Sequence, residues 1–491
     1  MTGFTLQNNQ ADLPSQKPTA SYWHRSPSQT LLGHRTTAEL PERADVIIVG
    51  AGLTGAFAAR EAVGRGLGRV LVLEAREVGW GATGRNGGHC QPFVYGQQPH
   101  IAAFELRNYA FLKDFVQKNE VPCDWVTTSG VHGLYTEDLV EVAARNIKKL
   151  KQLAPGLASV VQLVKAAPNS SSDGDPLESL GLSGAKGAVV QKNAASLWPY
   201  RLVAWIFEQL LAESTSGDSN SFNLQTGTPV LDIQRFKHSW IVHTPRGQVA
   251  TPTVLVASNG YISRILPEFT GLVVPVRGQV ASLYPGERTG DEALRHTYVF
   301  LAAKREGESA MDDYLVQARG GERELVYGGG RVRGVDKGWG TSRDDEIDPV
   351  VSNHLRRNLH RVLATPSSRD SSDENKATSQ QPEAVDNAKP MPASFEWTGI
   401  MGYSADGYPW VGQVPPTLGG GKGLWVCGGY TGHGMPLAAL CAKAVVELIG
   451  GTKDDAVDLP AEFRVSEERA GRVRVRGPIG MESAEELIGY V

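Results

Sequence analysis

Apolar residues form two unbroken clusters early in the chain, Val46-Ile47-Ile48-Val49 and Val70-Leu71-Val72-Leu73. Continuous runs of this kind suit strands of a parallel sheet buried on both faces, and the segment between them, Ala56 to about Arg65, reads as a helix. Together they predict one βαβ unit of about 30 residues. Further on the period lengthens. Phe104, Tyr109, Phe111, Leu112 and Phe115 recur among charged residues from Ile101 to Glu120, which is a helical pattern, and residues 139–164 predict another helix. A third runs from about Arg201 to Glu213 on Leu202, Ile206 and Leu210. Strands resume at Pro229-Val230-Leu231-Asp232-Ile233, Trp240-Ile241-Val242-His243 and Thr253-Val254-Leu255-Val256. A final helix spans about Met435 to Ile449.

Polar stretches punctuate these elements. Residues 1–43 are polar and broken by prolines, and are expected to be a loosely docked leader. Residues 168–175 and 214–221 read as loops. Residues 366–390 are low in complexity and hold no aromatic side chain, so they read as a disordered surface insertion rather than a linker. No internal repeat is evident.

Composition narrows the class. A chain of 491 residues, 41% of them apolar, can bury more than one core's worth of side chains, so two connected domains are expected. Lys plus Arg is 49 against 53 for Asp plus Glu, a net charge of −4, which disfavours nucleic acid or an anionic membrane as the main partner. Cys90, Cys123, Cys427 and Cys441 are scattered, with no metal-ligand spacing, so neither a disulfide framework nor a metal site is expected. The first residues lack the apolar stretch of a signal peptide, no run approaches the roughly 18 residues of a membrane span, and the C-terminus is not a peroxisomal address. A cytoplasmic protein is the default expectation.

The chemistry begins at Gly50-Ala51-Gly52-Leu53-Thr54-Gly55, a GxGxxG placed between a buried strand and a helix. Its first glycine allows a tight turn and its second a close approach of backbone to a pyrophosphate. The third lets helix and strand pack closely, while the helix N-terminus offers amide donors. Glu74, with Ala75 after it, ends the next strand, where a carboxylate can accept from ribose hydroxyls. A Gly-rich turn alone would be weak evidence, but strand, glycines, helix, strand and acid here occur in order at the expected spacing. The stretch after Glu74 favours FAD over NAD. In place of the next βα element comes a glycine-rich loop, Gly79-Trp80-Gly81-Ala82-Thr83-Gly84-Arg85-Asn86-Gly87-Gly88, whose amides suit a second phosphate and the flavin end.

With these stretches in view, the sequence resembles the D-amino-acid oxidase/glycine oxidase superfamily of flavoproteins, nearest the branch of γ-glutamylputrescine oxidase-like enzymes. Besides the fingerprint and the GATGRNGG loop, the resemblance rests on Ala257-Ser258-Asn259-Gly260, Pro275-Val276-Arg277-Gly278-Gln279, Asp406-Gly407-Tyr408-Pro409-Trp410-Val411-Gly412 and Gly428-Gly429-Tyr430-Thr431-Gly432-His433-Gly434, covering roughly residues 44–450. It implies an α/β fold of glutathione-reductase-like architecture: a Rossmann-type FAD-binding domain with an inserted α+β, mixed-sheet substrate domain. The former is expected in residues 44–95, 180–265 and 395–450, the latter in 96–179 and 266–365, with an extension over 451–491. Pro275–Gln279 looks like the crossing into the substrate sheet.

The resemblance also implies FAD contacts from Val230, Ala257 and Gly260, and from Gly432, His433, Gly434 and Met435 before the last helix. Peptide amides there can support negative charge on the reduced flavin. For catalysis the candidates are Arg85, His433, Arg277 and Tyr403, each with a plainer reading beside it. Arg85 holds flavin oxygens or a substrate carboxylate, or else fixes loop carbonyls; His433 acts through its ring, or is a hydrogen-bonded structural residue. Arg277 faces substrate or is ion-paired, and Tyr403, Tyr408 and Trp410 line the flavin or simply pack. His89 approaches the flavin or caps a turn, and the hydroxyl of Tyr327 has no assigned role.

Departures from the family refine the expectation. Relatives that attach FAD through cysteine place it upstream of the segment matching Asp406-Gly407, and this chain has no cysteine between Cys123 and Cys427. Arg85 stands where other relatives carry a flavin-linking histidine, so non-covalent FAD is expected, with His89 the remaining candidate for a link. Pro436 replaces a carboxylate-binding lysine of sarcosine oxidases, and no lysine stands around Val326–Arg331 to assist oxygen reduction. The expected activity is oxidation of a C–N bond of a small amine or amino acid to an imine by hydride transfer to flavin N5, with O2 as final acceptor. A dehydrogenase with another acceptor, a tailoring oxidase on an amine-containing natural product, and a non-catalytic FAD-binding protein stay open beside it. The cofactor carries the hard chemistry, so no nucleophile triad is expected.

Overall fold

The computed structural model describes residues 6–166, 175–216, 221–285, 293–319, 321–363, 389–476 and 482–488. The two apolar runs become adjacent parallel strands, Val46–Val49 and Val70–Leu73, with every residue buried. They sit inside a six-stranded sheet ordered Trp410–Gln413, Leu424–Gly428, Thr253–Val256, Val46–Val49, Val70–Leu73, Phe222–Gln225. Only the edge strand Trp410–Gln413 runs antiparallel to its neighbour. Helix Leu53–Gly64 covers this sheet together with Ala438–Ile449 and Pro199–Ser216, a packing that buries Ala56, Phe57, Val445 and Phe207. Strands Asp232–Phe236, Ser239–Thr244 and Gly247–Thr251 form a small antiparallel sheet alongside.

A second, nine-stranded mixed sheet lies opposite. Its order is Ala393–Ser404, Val273–Leu283, Leu325–Gly328, Met311–Gln317, His296–Ala302, Val126–Leu134, Gly187–Ser196 and His89–Cys90, with Val161–Lys165 pairing beside Gly187–Ser196. Pro275–Gln279 falls within Val273–Leu283, which pairs along its whole length with Ala393–Ser404. His89–Cys90, Gly187–Ser196 and all but the first two residues of Ala393–Ser404 fall inside the ranges expected of the FAD-binding part, yet they pair in this second sheet. Period-two alternation then sorts its side chains: Asp312 and Tyr314 face one way, and Asp313 the other, towards helix Pro349–Val362.

Three expectations are corrected. The leader is not loosely docked, because its few aromatic residues are anchors: Tyr22 and Trp23 are buried against Trp198, and Trp23 Nε1 donates to the Asn86 carbonyl at 2.6 Å. The helix expected over 139–164 stops at Leu153. Pro155 excludes the helical conformation from Ala154 before it, and the chain restarts as a single turn, Pro155–Ala158, and a strand, Val161–Lys165. The last helix begins at Ala438, not Met435: Leu437 before it takes φ of −128°, outside the right-handed helical region, and residues 435–437 form a turn. Residues 168–174, 217–220 and 366–388, read from sequence as loops and an insertion, lie outside the described residues. Among those described, no helix is long and apolar enough to cross a membrane.

Candidate active site

Between the two sheets runs one continuous cavity of about 560 Å³. At one end stands the fingerprint. Gly50 turns the chain with φ of 109°, and a Cβ on Gly55 would stand 1.9 Å from the Gly50 carbonyl oxygen, so helix and strand approach as only glycine allows. No side chain caps the helix at Gly52, and Leu53 N donates to Thr83 Oγ1 at 2.9 Å. Glu74 closes this end, accepting from Ala51 N and Arg76 N, each at 2.8 Å. Burial raises its pKa, partly offset by those two amides. Val230, Ala257 and Gly260 complete the wall, together with Ser258 Oγ and the Tyr261 hydroxyl, buried polar atoms with no protein partner among the described residues.

The middle is built from two loops. Gly81 to Gly87 enters from one side, with Asn86 folded onto its own loop: Nδ2 donates to Thr83 O at 3.0 Å and Oδ1 accepts from Gly88 N at 2.8 Å. Tyr314 lies over this loop so closely that a Cβ on Gly87 would meet its ring at 2.1 Å. Tyr430 to Leu437 enters from the other side, and Thr54 and Tyr430 hydroxyls meet at 2.9 Å. Of the amides expected at a helix start here, that of His433 is engaged instead with the Tyr430 carbonyl at 2.8 Å.

The far end lies under the second sheet. Helix Pro99–Lys118 contributes Ile101 and Glu105, the sheet contributes His132, Val299, Leu301, Asp312, Tyr314 and Tyr403, and Arg331 comes just after its central strand. Glu105 Oε2 accepts from Phe93 N at 2.6 Å and lies 2.9 Å from His433 Nε2. Arg331 Nη2 lies 3.8 Å from Asp312 Oδ2, and its guanidinium carbon 5.3 Å from the Tyr403 ring centre. Burial raises the pKa of both Asp312 and Tyr403. It pushes His89 and His132 down to about 3, so both are neutral rings. Four buried polar atoms lining this end have no partner among the described residues: His89 Nε2, Gln91 Oε1, Glu105 Oε1 and Asp312 Oδ1. Buried groups are normally satisfied, so these atoms await a ligand or water.

Most candidates named from sequence therefore converge on this cavity. Gly55, Gly88 and Arg277 stand off its wall: Gly55 and Gly88 lie behind it, and Arg277 pairs with Glu346 at 3.2 Å. Trp410 and Tyr327 are likewise buried away from it, whereas Tyr408 and His89 line it. The Arg85 guanidinium is taken up elsewhere, donating to the carbonyls of Trp80, Thr398 and Thr19 at 2.9, 2.8 and 2.9 Å. Glu105, Asp312, Tyr314 and Arg331 escaped the sequence reading. Glu105 had a signal: it stands on the buried face of its helix with Ile101, Phe104 and Leu112, where a lone carboxylate needs a partner. A glycine cradle at one end, an acid beside it and unsatisfied polar atoms at the other together fit an FAD with room beyond its flavin for a small polar molecule.

Comparison with known proteins agrees. Residues 45–448 match the family model described as FAD dependent oxidoreductase. A probable oxidoreductase OrdL of Rhizobium meliloti is 22% identical over 438 residues, covering 86% of this chain and 86% of that protein. The gamma-glutamylputrescine oxidoreductase of Escherichia coli is 21% identical over 424 residues, covering 83% and 84%. Among solved structures, glycine oxidase from Geobacillus kaustophilus superposes with a TM-score of 0.62 at 20% identity, covering 87% of this chain and 99% of that one, a likeness of fold.

Proposed function

The chain belongs to the FAD dependent oxidoreductase family, and from that premise we propose that it oxidises a carbon–nitrogen bond of a small amine or amino acid. The observation that supports this is the single cavity joining the dinucleotide fingerprint to a polar chamber under the second sheet. In this reading the amides from Gly50 to Gly55 hold the pyrophosphate, Glu74 the ribose, and the stretches 81–87 and 430–435 the ring system. FAD, when bound, supplies the two-electron oxidant.

The chain's own groups handle the substrate. At the far end of the cavity, among the described residues, the carboxylates Glu105 and Asp312 stand against the guanidinium of Arg331, a local balance that draws a nitrogen cation rather than an anion. His89 and His132 are neutral and add no opposing charge. Tyr314, packed over Gly87, and Tyr403 wall the chamber where the substrate would sit beside the loop at Gly87. The overall reaction converts amine and O2 into imine and hydrogen peroxide, and water then hydrolyses the imine to a carbonyl compound and an amine.

The test is the visible spectrum of the purified protein, before and after anaerobic addition of γ-glutamylputrescine, sarcosine, proline and D-alanine in turn. Flavin bands that bleach with one amine and return in air with peroxide support an oxidase of that amine. Bleaching without recovery in air moves the final acceptor to a quinone or a protein. Bands that none of them bleaches would sink the amine reading.

A further inference from the structure

The far end of the cavity carries this amine reading one step further, to the proton that must leave before oxidation. An alkylammonium has no lone pair on nitrogen and resists loss of hydride from its neighbouring carbon, so the substrate must be deprotonated in place. Glu105 is 1% exposed and its Oε2 faces Nε2 of His433 at 2.9 Å. A carboxylate can only accept, so the imidazole hydrogen is fixed on Nε2 and the neutral ring offers its lone pair at Nδ1. Nδ1 has no protein partner among the described residues, and the ring, a third exposed, lines the cavity.

No neighbouring ring is equipped for this. His132 is bonded on both nitrogens, by Gln91 and by the Tyr95 hydroxyl, and has no carboxylate beside it. His89 keeps its Nε2 enclosed and unpartnered, again with no carboxylate to fix a tautomer. Besides Glu105 on its helix, the titratable groups around His433 are His89 and His132 on their strands and Tyr403 on Ala393–Ser404, whose hydroxyl oxygen lies 3.6 Å from a Cβ built on Gly432. Glu486, Asp312 and Arg331 line other parts of the same cavity.

We infer that His433 is the base that takes the substrate ammonium proton on Nδ1, and that Glu105 is the positioning residue that fixes this tautomer and balances the imidazolium. The step is a plain proton transfer: ammonium and neutral imidazole become neutral amine and imidazolium, with no change of oxidation state. The amine lone pair is then free to assist hydride loss from carbon.

The experiment tracks flavin bleaching by the responsive amine, anaerobically and across pH, in holoenzyme of wild type, Glu105→Gln and His433→Asn. In Glu105→Gln the neutral amide no longer balances the imidazolium, so the acid limb moves down by about one pH unit and the plateau falls about tenfold. In His433→Asn the limb moves up towards the range of a free alkylamine, about pH 10, since the amine must then arrive deprotonated. A merely structural pair would lower the rates at an unchanged limb, and that result overturns the inference. Nitrogen-15 spectra of the imidazole rings give a second readout that needs no turnover: Nε2–H for His433 in wild type, kept in Glu105→Gln through the amide oxygen and lost as a preference in Glu105→Leu, which removes the acceptor. A wild-type Nδ1–H tautomer would be equally fatal. Failure of every amine to bleach the flavin removes the amine reading itself, and this inference with it.

Discussion

Arg76 and Asp344 meet in the interior, with Nη1 of the guanidinium 2.8 Å from Oδ2 and 3.0 Å from Oδ1 of the carboxylate, both side chains almost wholly enclosed. The same carboxylate lies 3.5 Å from Nε of Arg85, so one acid balances two buried cations flanking the cofactor loop. Removing one partner of a buried pair leaves the other charge without compensation, at about 3–5 kcal/mol. Asp344→Ala should therefore lose that much stability in urea unfolding. Asp45→Ala, which breaks an exposed pair with Arg69, should change it by less than about 1 kcal/mol. Equal effects would contradict the burial described.

The leader is held by the same region. Thr19 N donates to the Asp344 carbonyl at 2.8 Å, and Thr19 O accepts from Arg85. Trp23, 2% exposed, packs on Trp198, and a Trp→Ala truncation at such a site costs roughly 3–5 kcal/mol. Trp23→Ala should lower the melting temperature and speed loss of flavin on dilution, because the ring also holds the Asn86 carbonyl of the cofactor loop. A variant as stable as wild type would return the leader to a loose segment.

The parts legible in the sequence were those decided locally. The runs 46–49 and 70–73 could hardly be anything but buried strands, and the glycines between them report a steric requirement that acts over a few residues. Arg85 was harder, because whether a guanidinium points along a cavity or into carbonyls depends on Thr19 and Thr398, remote in sequence and adjacent only in the fold. Asp312 and Tyr314 face the cavity by strand alternation, but which face of Met311–Gln317 is inward is set by pairing with His296–Ala302 and Leu325–Gly328. The leader's mean polarity hides two aromatic anchors, Tyr22 and Trp23, that decide its packing.

Gly55 offers a local test of the dinucleotide end. An added methyl would lie 1.9 Å from the Gly50 carbonyl oxygen, so helix Leu53–Gly64 must move off its strand to admit it. Gly55→Ala should reduce the flavin recovered per protein well below wild type while far-ultraviolet circular dichroism changes little. Full flavin content in this variant would show that the close approach is not needed for binding.

Asp313 sets an acid limit. Burial alone would raise its pKa, but His354 at 2.7 Å, the Tyr327 hydroxyl at 2.6 Å and Gly330 N at 2.8 Å outweigh burial and hold it below the ordinary value. A carboxyl whose folded pKa is depressed contributes stability that is complete above its unfolded pKa, about 3.9, and is lost as pH falls towards its folded one. Unfolding measured from pH 6 downward should show stability falling below about pH 4. In Asp313→Asn the starting stability should be lower and the fall shallower. An identical slope in both proteins would assign the acid loss to other groups.

How FAD is held can be decided by denaturing the protein with acid and asking where the colour goes. All four cysteines are buried, and none lines the cavity, so no thiol is within the site to form a thioether. Burial also pushes the thiols of Cys90, Cys123, Cys427 and Cys441 upward, away from the nucleophilic thiolate. Arg85 cannot form the histidyl link, and its guanidinium is engaged with three carbonyls. Among the histidines lining the cavity, His89 is the one the sequence singles out for such a link, a neutral ring whose Nε2 meets no protein partner among the described residues. The expected outcome is yellow supernatant and colourless pellet, for wild type and His89→Ala alike. A yellow pellet from wild type that turns colourless in His89→Ala would instead make His89 the attachment point. It would also explain an imidazole nitrogen left buried and unsatisfied, which is why this variant is the control that decides between the two.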